Sequence, residues 1–133
     1  MTPHPLDVVL IEDNSADVYL INRALKQAGL DFHLRTFKNG EDAITFIRRL
    51  DQKGAPDLFV VDWNLPRVHG MEILQAMGLS ASLTHTPRIV LTSSESQDDK
   101  SEVERLGGVF FSKPRSLDEF MKIGCRIKSM LGV

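Results

Sequence analysis

Leu58-Phe59-Val60-Val61-Asp62-Trp63-Asn64-Leu65-Pro66 is the stretch on which the fold turns. Four apolar residues in an unbroken run fit a strand buried on both faces, the situation of a parallel strand covered by helices. An acid follows at once, and an acid that ends a buried strand needs a partner. Outward from this stretch, further apolar runs read as strands: Val8-Val9-Leu10-Ile11, Arg88-Ile89-Val90-Leu91 and Val109-Phe110-Phe111. Phe32 to Phe37 alternates instead, with Phe32, Leu34 and Thr36 set against His33, Arg35 and Phe37, which suits a less buried edge strand.

Helical patterns separate these runs. Asn14-Ser15 reads as a cap, followed by Val18, Ile21, Leu25 and Ala28 at helical spacing and Gly29 as a stop. Asn39-Gly40 opens a second helix with Ala43, Ile47 and Leu50 on one face, and Gly70 precedes a third carrying Met71, Ile73, Leu74 and Met77. Ser96 to Leu106 is mostly polar. Only Val103 and Leu106 look like core contacts there, so this fourth helix is expected to be weakly anchored. Ser116-Leu117-Asp118-Glu119 has the pattern of a capping box and opens a last helix striped by Phe120, Ile123, Ile127 and Met130. Alternating strands and helices imply an α/β sandwich of three layers, a parallel five-stranded sheet with helices on both faces.

The totals narrow the function classes. With 133 residues, the chain is the size of one domain, and 42% apolar residues suffice for a core. A net charge of −2 with interspersed signs lacks the basic stripe of a DNA-binding surface. One cysteine, Cys125, excludes an internal disulfide, and no apolar run approaches membrane-spanning length. Met1-Thr2-Pro3-His4-Pro5 carries no signal-peptide pattern, so a cytoplasmic setting is expected.

In an open parallel sheet, ligands bind beyond the carboxyl ends of the strands, near the switch point in strand order. Glu12-Asp13 ends the first run, Asp62 the third, Thr92 the fourth, and Ser112-Lys113-Pro114 the fifth, whereas the second run offers no matching group. A strand order of 2-1-3-4-5 explains this, because it makes the contributing strands neighbours. Three crowded carboxylates repel one another, and a hard divalent cation such as Mg²⁺ relieves the repulsion. A carboxylate held beside such a cation can attack phosphorus. The cation, an ammonium such as Lys113 and a hydroxyl such as Thr92 can then each take one phosphoryl oxygen.

These residues carry a resemblance. Val8 to Asn14, Asp62 to Pro66 followed by Gly70-Met71-Glu72, Leu91-Thr92-Ser93, and Lys113-Pro114 together resemble the signatures of receiver domains of two-component response regulators. Each piece alone is weak, and their order and spacing across nearly the whole chain are specific. The resemblance implies a flavodoxin-like (βα)5 fold in which residues 1–133 form one receiver domain. The residues after Lys113 are expected to form one helix, with no output domain. It also implies that Asp62 accepts a phosphoryl group from a histidine kinase or a histidine phosphotransfer protein. Asp13, Asp62 and the backbone carbonyl of Asn64 would ligate Mg²⁺ (or Mn²⁺), with Glu12 acting through water. Many family members have Asp at the Glu12 position. Thr92 and Lys113 would bind phosphoryl oxygens, and Thr92 with Phe110 would form the switch. The family often has Tyr in place of Phe110, so a hydroxyl readout is lost. Asn64 and Ser94 stand where the family tunes phosphate lifetime. A downstream protein target is expected at the face of the fourth helix, fifth strand and fifth helix, which could alternatively pair with a second copy.

Two departures stand out. The stretch between Asp13 and Asp62 is longer than in compact chemotaxis-type regulators. The extra length falls around Asp51 to Ala55, as in stand-alone receivers similar to phytochrome-associated regulators. The segment from Thr92 to Lys113 is one residue short beside many members. Taken singly, the site residues have plainer readings. Glu12-Asp13 would cap a helix, Thr92 and Lys113 would lie on the surface, Phe110, Trp63, Met71 and Met77 would pack, and His4, His33, His69 and His85 would be surface residues. Two rivals follow. A flavin mononucleotide protein of the same strand order would want a Ser/Thr/Gly-rich phosphate loop where Glu12-Asp13-Asn14-Ser15 stands. A pseudo-receiver that never takes phosphate would lack an acid or the lysine. Relay, direct effector and phosphate sink all remain open.

Overall fold

A computed structural model describes residues 4–133. The first three residues, on which part of the signal-peptide reading rests, lie outside it. The elements run β1 (Leu6–Ile11), α1 (Ser15–Gln27), β2 (Phe32–Phe37), α2 (Gly40–Arg48), β3 (Leu58–Asp62), α3 (Gly70–Gly78), β4 (Arg88–Thr92), α4 (Gln97–Arg105), β5 (Val109–Ser112) and α5 (Leu117–Leu131). All strand pairs are parallel, in the order β2-β1-β3-β4-β5.

The unbroken apolar runs have a simple cause. Side chains alternate across a strand, and both sides of this sheet are covered. Val9, Ile11, Phe59, Val61 and Val90 pack with Ile47, Ile73, Leu74, Met77 and Val103, from α2, α3 and α4. Val8, Leu10, Leu58, Val60, Ile89 and Leu91 pack with Ile21, Leu25, Phe120, Ile123 and Ile127, from α1 and α5. Strand β2 has no fully buried residue, which matches its edge position and its alternating pattern. Where α5 crosses α1, a Cβ on Gly124 would stand 2.1 Å from the Ala24 carbonyl oxygen, so only glycine allows this approach.

Strands β3, β4 and β5 each extend one residue beyond the apolar runs and take in Asp62, Thr92 and Ser112. Asp62 and Thr92 therefore have fixed strand geometry, and Glu12 and Lys113 follow directly on β1 and β5. Helix α4 is as thinly anchored as its composition suggests: Val103 is its one buried residue. The extra length after α2 forms a single 3-10 turn over Gln52–Gly54, capped by Asp51. At Ser116 the side chain accepts from the Glu119 N–H (3.2 Å). The reciprocal capping box forms instead at α3. His69 Nδ1 accepts from the Met71 N–H (3.0 Å), and the Glu72 carboxylate accepts from the His69 N–H (3.0 Å). This corrects the reading of His69 as a plain surface residue. Its ring also meets the Trp63 indole edge-on at 4.6 Å.

Candidate functional site

The site lies along the carboxyl ends of β1, β3, β4 and β5. Glu12 follows β1, and its N–H donates to the Phe37 carbonyl (2.9 Å), which pins the acidic loop to β2. Asn14 then caps α1, with Oδ1 accepting from the N–H groups of Ala16 (2.9 Å) and Asp17 (3.2 Å). Asp62 ends β3, and its Oδ1 accepts from the Asn64 N–H (3.2 Å). The start of α3 presses on this bend. The Gly70 N–H donates to the Trp63 carbonyl (2.9 Å), and a Cβ on Gly70 would lie 2.8 Å from the Trp63 Cα.

One carboxylate oxygen each from Glu12, Asp13 and Asp62 fall within 4.8 Å of one another. Glu12 and Asp62 are buried, and Asp13 faces solvent. Burial, above all, pushes the Glu12 carboxyl from its ordinary 4.5 up to about 8; a hydrogen bond to Asp62 and its charge add to the rise, and Lys113 opposes it. An all-oxygen set of three carboxylates with excess negative charge has the donor chemistry of a Mg²⁺ or Mn²⁺ site.

Lys113 follows β5, and its backbone N–H donates to the Thr92 carbonyl (2.7 Å). Its ammonium lies 2.8 Å from Asp17 Oδ2, 2.9 Å from Glu12 Oε1 and 3.8 Å from Asp62 Oδ2. Burial disfavours this charge, but the hydrogen bonds to Asp17 and Glu12 and the charge of Asp62 outweigh it and hold the amine above its ordinary pKa. Thr92 is fully buried, and its Oγ1 accepts from Asn64 Nδ2 (3.1 Å) and from the Ser94 N–H (3.1 Å). The Ser94 hydroxyl donates to Asp99 Oδ2 (2.5 Å) in the first turn of α4. A continuous chain of hydrogen bonds thus joins Asp62 to α4 through Asn64, Thr92, Ser94 and Asp99.

Glu12, Asp13, Asp62, Asn64, Thr92 and Lys113 meet at one rim, as the motif spacing suggests. Phe110 does not join them. It sits half-buried in β5, opposite Val90 of β4, and borders a surface groove of about 510 Å³ with Ser96, Lys100 and Arg126. Two participants escaped the sequence reading. Asp17 is an ordinary helix-start acid by pattern, and Asp99 is one acid among several in a polar helix.

The sequence profile of the response regulator receiver domain matches residues 8–123. This chain belongs to that family. The receiver is 30% identical to the response regulator Rcp1 of Synechocystis sp. over 129 residues, covering 94% of this chain and 88% of Rcp1. Its fold is similar to that of the phosphorylated cyanobacterial phytochrome response regulator RcpA. There the TM-score is 0.84 at 28% identity, covering 96% of this chain and 94% of that one. A Mn²⁺-bound form of Rcp1 superposes with a TM-score of 0.82 at 29% identity, over 94% of this chain and 93% of the other. The receiver is therefore a response regulator of two-component signalling, a class of signalling switches. Among the described residues, no helix is long and apolar enough to cross a membrane.

Proposed function

We propose that Asp62 is the phosphoacceptor of a switch driven by a histidine kinase or a histidine phosphotransfer protein in the cytoplasm. The observation that carries this reading is the setting of the Asp62 carboxylate. Oδ1 is tied to the Asn64 N–H, while Oδ2 faces the Lys113 ammonium at 3.8 Å beside the carboxylates of Glu12 and Asp13. Glu12, Asp13, Asp62 and the Asn64 carbonyl would hold Mg²⁺ or Mn²⁺. A cation there offsets the repulsion among the acids and the charge of a phosphoryl oxygen.

Asp62 Oδ2 attacks phosphorus, an O–P bond forms, and the P–N bond of the donor phosphohistidine breaks, with the electron pair leaving on the imidazole. Lys113 and Thr92 each receive a phosphoryl oxygen. To bring its hydroxyl within reach of that oxygen, Thr92 moves away from Asn64 Nδ2 and the Ser94 N–H, from which its Oγ1 accepts. The Ser94–Asp99 bond carries the change into α4, which only Val103 anchors in the core. Phe110 moves into the space that Thr92 vacates. The face of α4, β5 and α5 then presents an altered surface to a protein target or to a second copy.

Intact mass after incubation with acetyl phosphate tests this reading. The expected result is a Mg²⁺-dependent gain of about 80 Da, one phosphoryl group, in the wild type and none in Asp62→Asn. A wild type that gains no mass with Mg²⁺, or an Asp62→Asn variant that gains as much, overturns it.

A further inference from the structure

Three carboxylates surround the Lys113 ammonium, and the shortest contact is not to Asp62. It is to Asp17, at 2.8 Å, with both side chains largely withdrawn from solvent at 18% and 19% exposure. Asp17 lies outside the cluster of Glu12, Asp13 and Asp62. Its place is set independently of the lysine. Asn14 Oδ1 accepts from the Asp17 N–H, so the capping turn of α1 aims this carboxylate across the rim at a residue 96 positions away. An ammonium has three N–H donors. One goes to Asp17 and one to Glu12, and the 3.8 Å to Asp62 is ion-pair range rather than a hydrogen bond.

We infer that Asp17 is a positioning residue: it holds Lys113 at the edge of the site and keeps the ammonium from closing onto the Asp62 carboxylate, which stays available to a divalent cation and to phosphorus. The inference rests on the site reading proposed above and adds a residue to it. Its reasoning is a competition. A lysine released from Asp17 turns its free donor to Glu12 and Asp62, the carboxylates a cation needs, and a fixed ammonium there opposes a divalent ion by charge. With Asp17 in place, Lys113 is anchored from outside the cluster and can still extend its third donor toward a phosphoryl oxygen.

Two measurements on the intact protein test this, and neither involves phosphoryl transfer. Mg²⁺ is titrated calorimetrically into the wild type, Asp17→Asn, Lys113→Ala and the double variant. Asp17→Asn is expected to weaken Mg²⁺ binding about 5-fold in the wild type and less than about 2-fold in the Lys113→Ala background, the signature of two coupled sites. Loss of a helix-start acid, or of a distant negative charge, would weaken it by the same factor in both backgrounds, and that result overturns the inference. The second measurement needs no metal. The Lys113 ammonium gives ¹H–¹⁵N signals, identified by their absence from Lys113→Ala. A proton exchange with water that is slow in the wild type and at least several-fold faster in Asp17→Asn supports the anchoring contact. Equal exchange in the two proteins overturns it. Normal results here with no phosphorylation of the wild type would leave Asp17 as the lysine's anchor and remove only the phosphoacceptor reading.

Discussion

Two cations are withdrawn from solvent at opposite ends of the sheet, and they are held in different ways. Arg88 opens β4 and is 8% exposed. Its Nη2 donates to the carbonyls of Leu83 (2.7 Å) and Thr86 (3.2 Å), and Nε reaches the Thr86 carbonyl as well. Among the described residues no carboxylate pairs with it, and burial lowers its pKa from the ordinary value. Lys113 follows β5 at the other rim, and its partners are all side-chain carboxylates, which raise its pKa instead. Backbone carbonyls are neutral and cannot leave, so Arg88 fastens the loop before β4. Side-chain carboxylates outnumber the lysine, so under the switch proposed above they would rearrange when a cation or a phosphoryl group arrives. Arg88, 8% exposed, is thus held by neutral carbonyls at one end of the sheet, and Lys113, 18% exposed, by a cluster of acids at the other.

The contrast can be broken most directly by Arg88→Met, which keeps the aliphatic stem and removes the donors. Loss of about 3 kcal/mol is expected in urea unfolding, because buried carbonyls lose their partners, with Mg²⁺ affinity unchanged. If the unfolding midpoint stayed at its wild-type value, Arg88 would not be fastening the loop. Glu12→Gln is expected to act in the opposite sense. The folded-state pKa of Glu12 is raised to about 8 from 4.5, so folding favours the protonated form. Glu12's contribution to the stability of the metal-free protein is therefore full below pH 4.5 and is lost as pH rises through about 8. The variant removes this dependence, gains about 2 kcal/mol at the upper end, and binds Mg²⁺ more weakly. Thermal melts from pH 5 to 8.5, with and without Mg²⁺, check the sign, and a metal-free wild type that grew more stable toward pH 8 would contradict it. The smallest effect belongs to His69, at the same rim. His69→Ala loses the α3 cap and should lower stability by about 1 kcal/mol. It should also shift the emission of Trp63, the one tryptophan of the chain. A fluorescence-monitored melt reads both.

The strand order, the buried strands and the gathering of Glu12, Asp13, Asp62, Thr92 and Lys113 were legible from residue order alone. Apolar runs such as Val8 to Ile11 and Leu58 to Val61 carry the signal of a sheet covered on both faces, and each site residue sits at or just beyond the end of its run, a local position that needs no knowledge of neighbours. What only the tertiary structure decided is which groups pair. Asp17 has the pattern of any helix-start acid, and nothing within a few residues of it announces Lys113, which the sheet order brings to 2.8 Å from across the chain. Asp99 likewise stands among other polar residues of α4 until the β4–α4 turn folds Ser94 back onto it. His69 carries no Ser, Thr, Asp or Asn cap pattern, yet its ring nitrogen accepts from Met71 because Gly70 seats α3 against the Asp62–Trp63 backbone. Periodicity and spacing encode burial, which is a property of one element at a time, whereas hydrogen-bond and charge partners belong to pairs of elements and exist only once the sheet has set their distances.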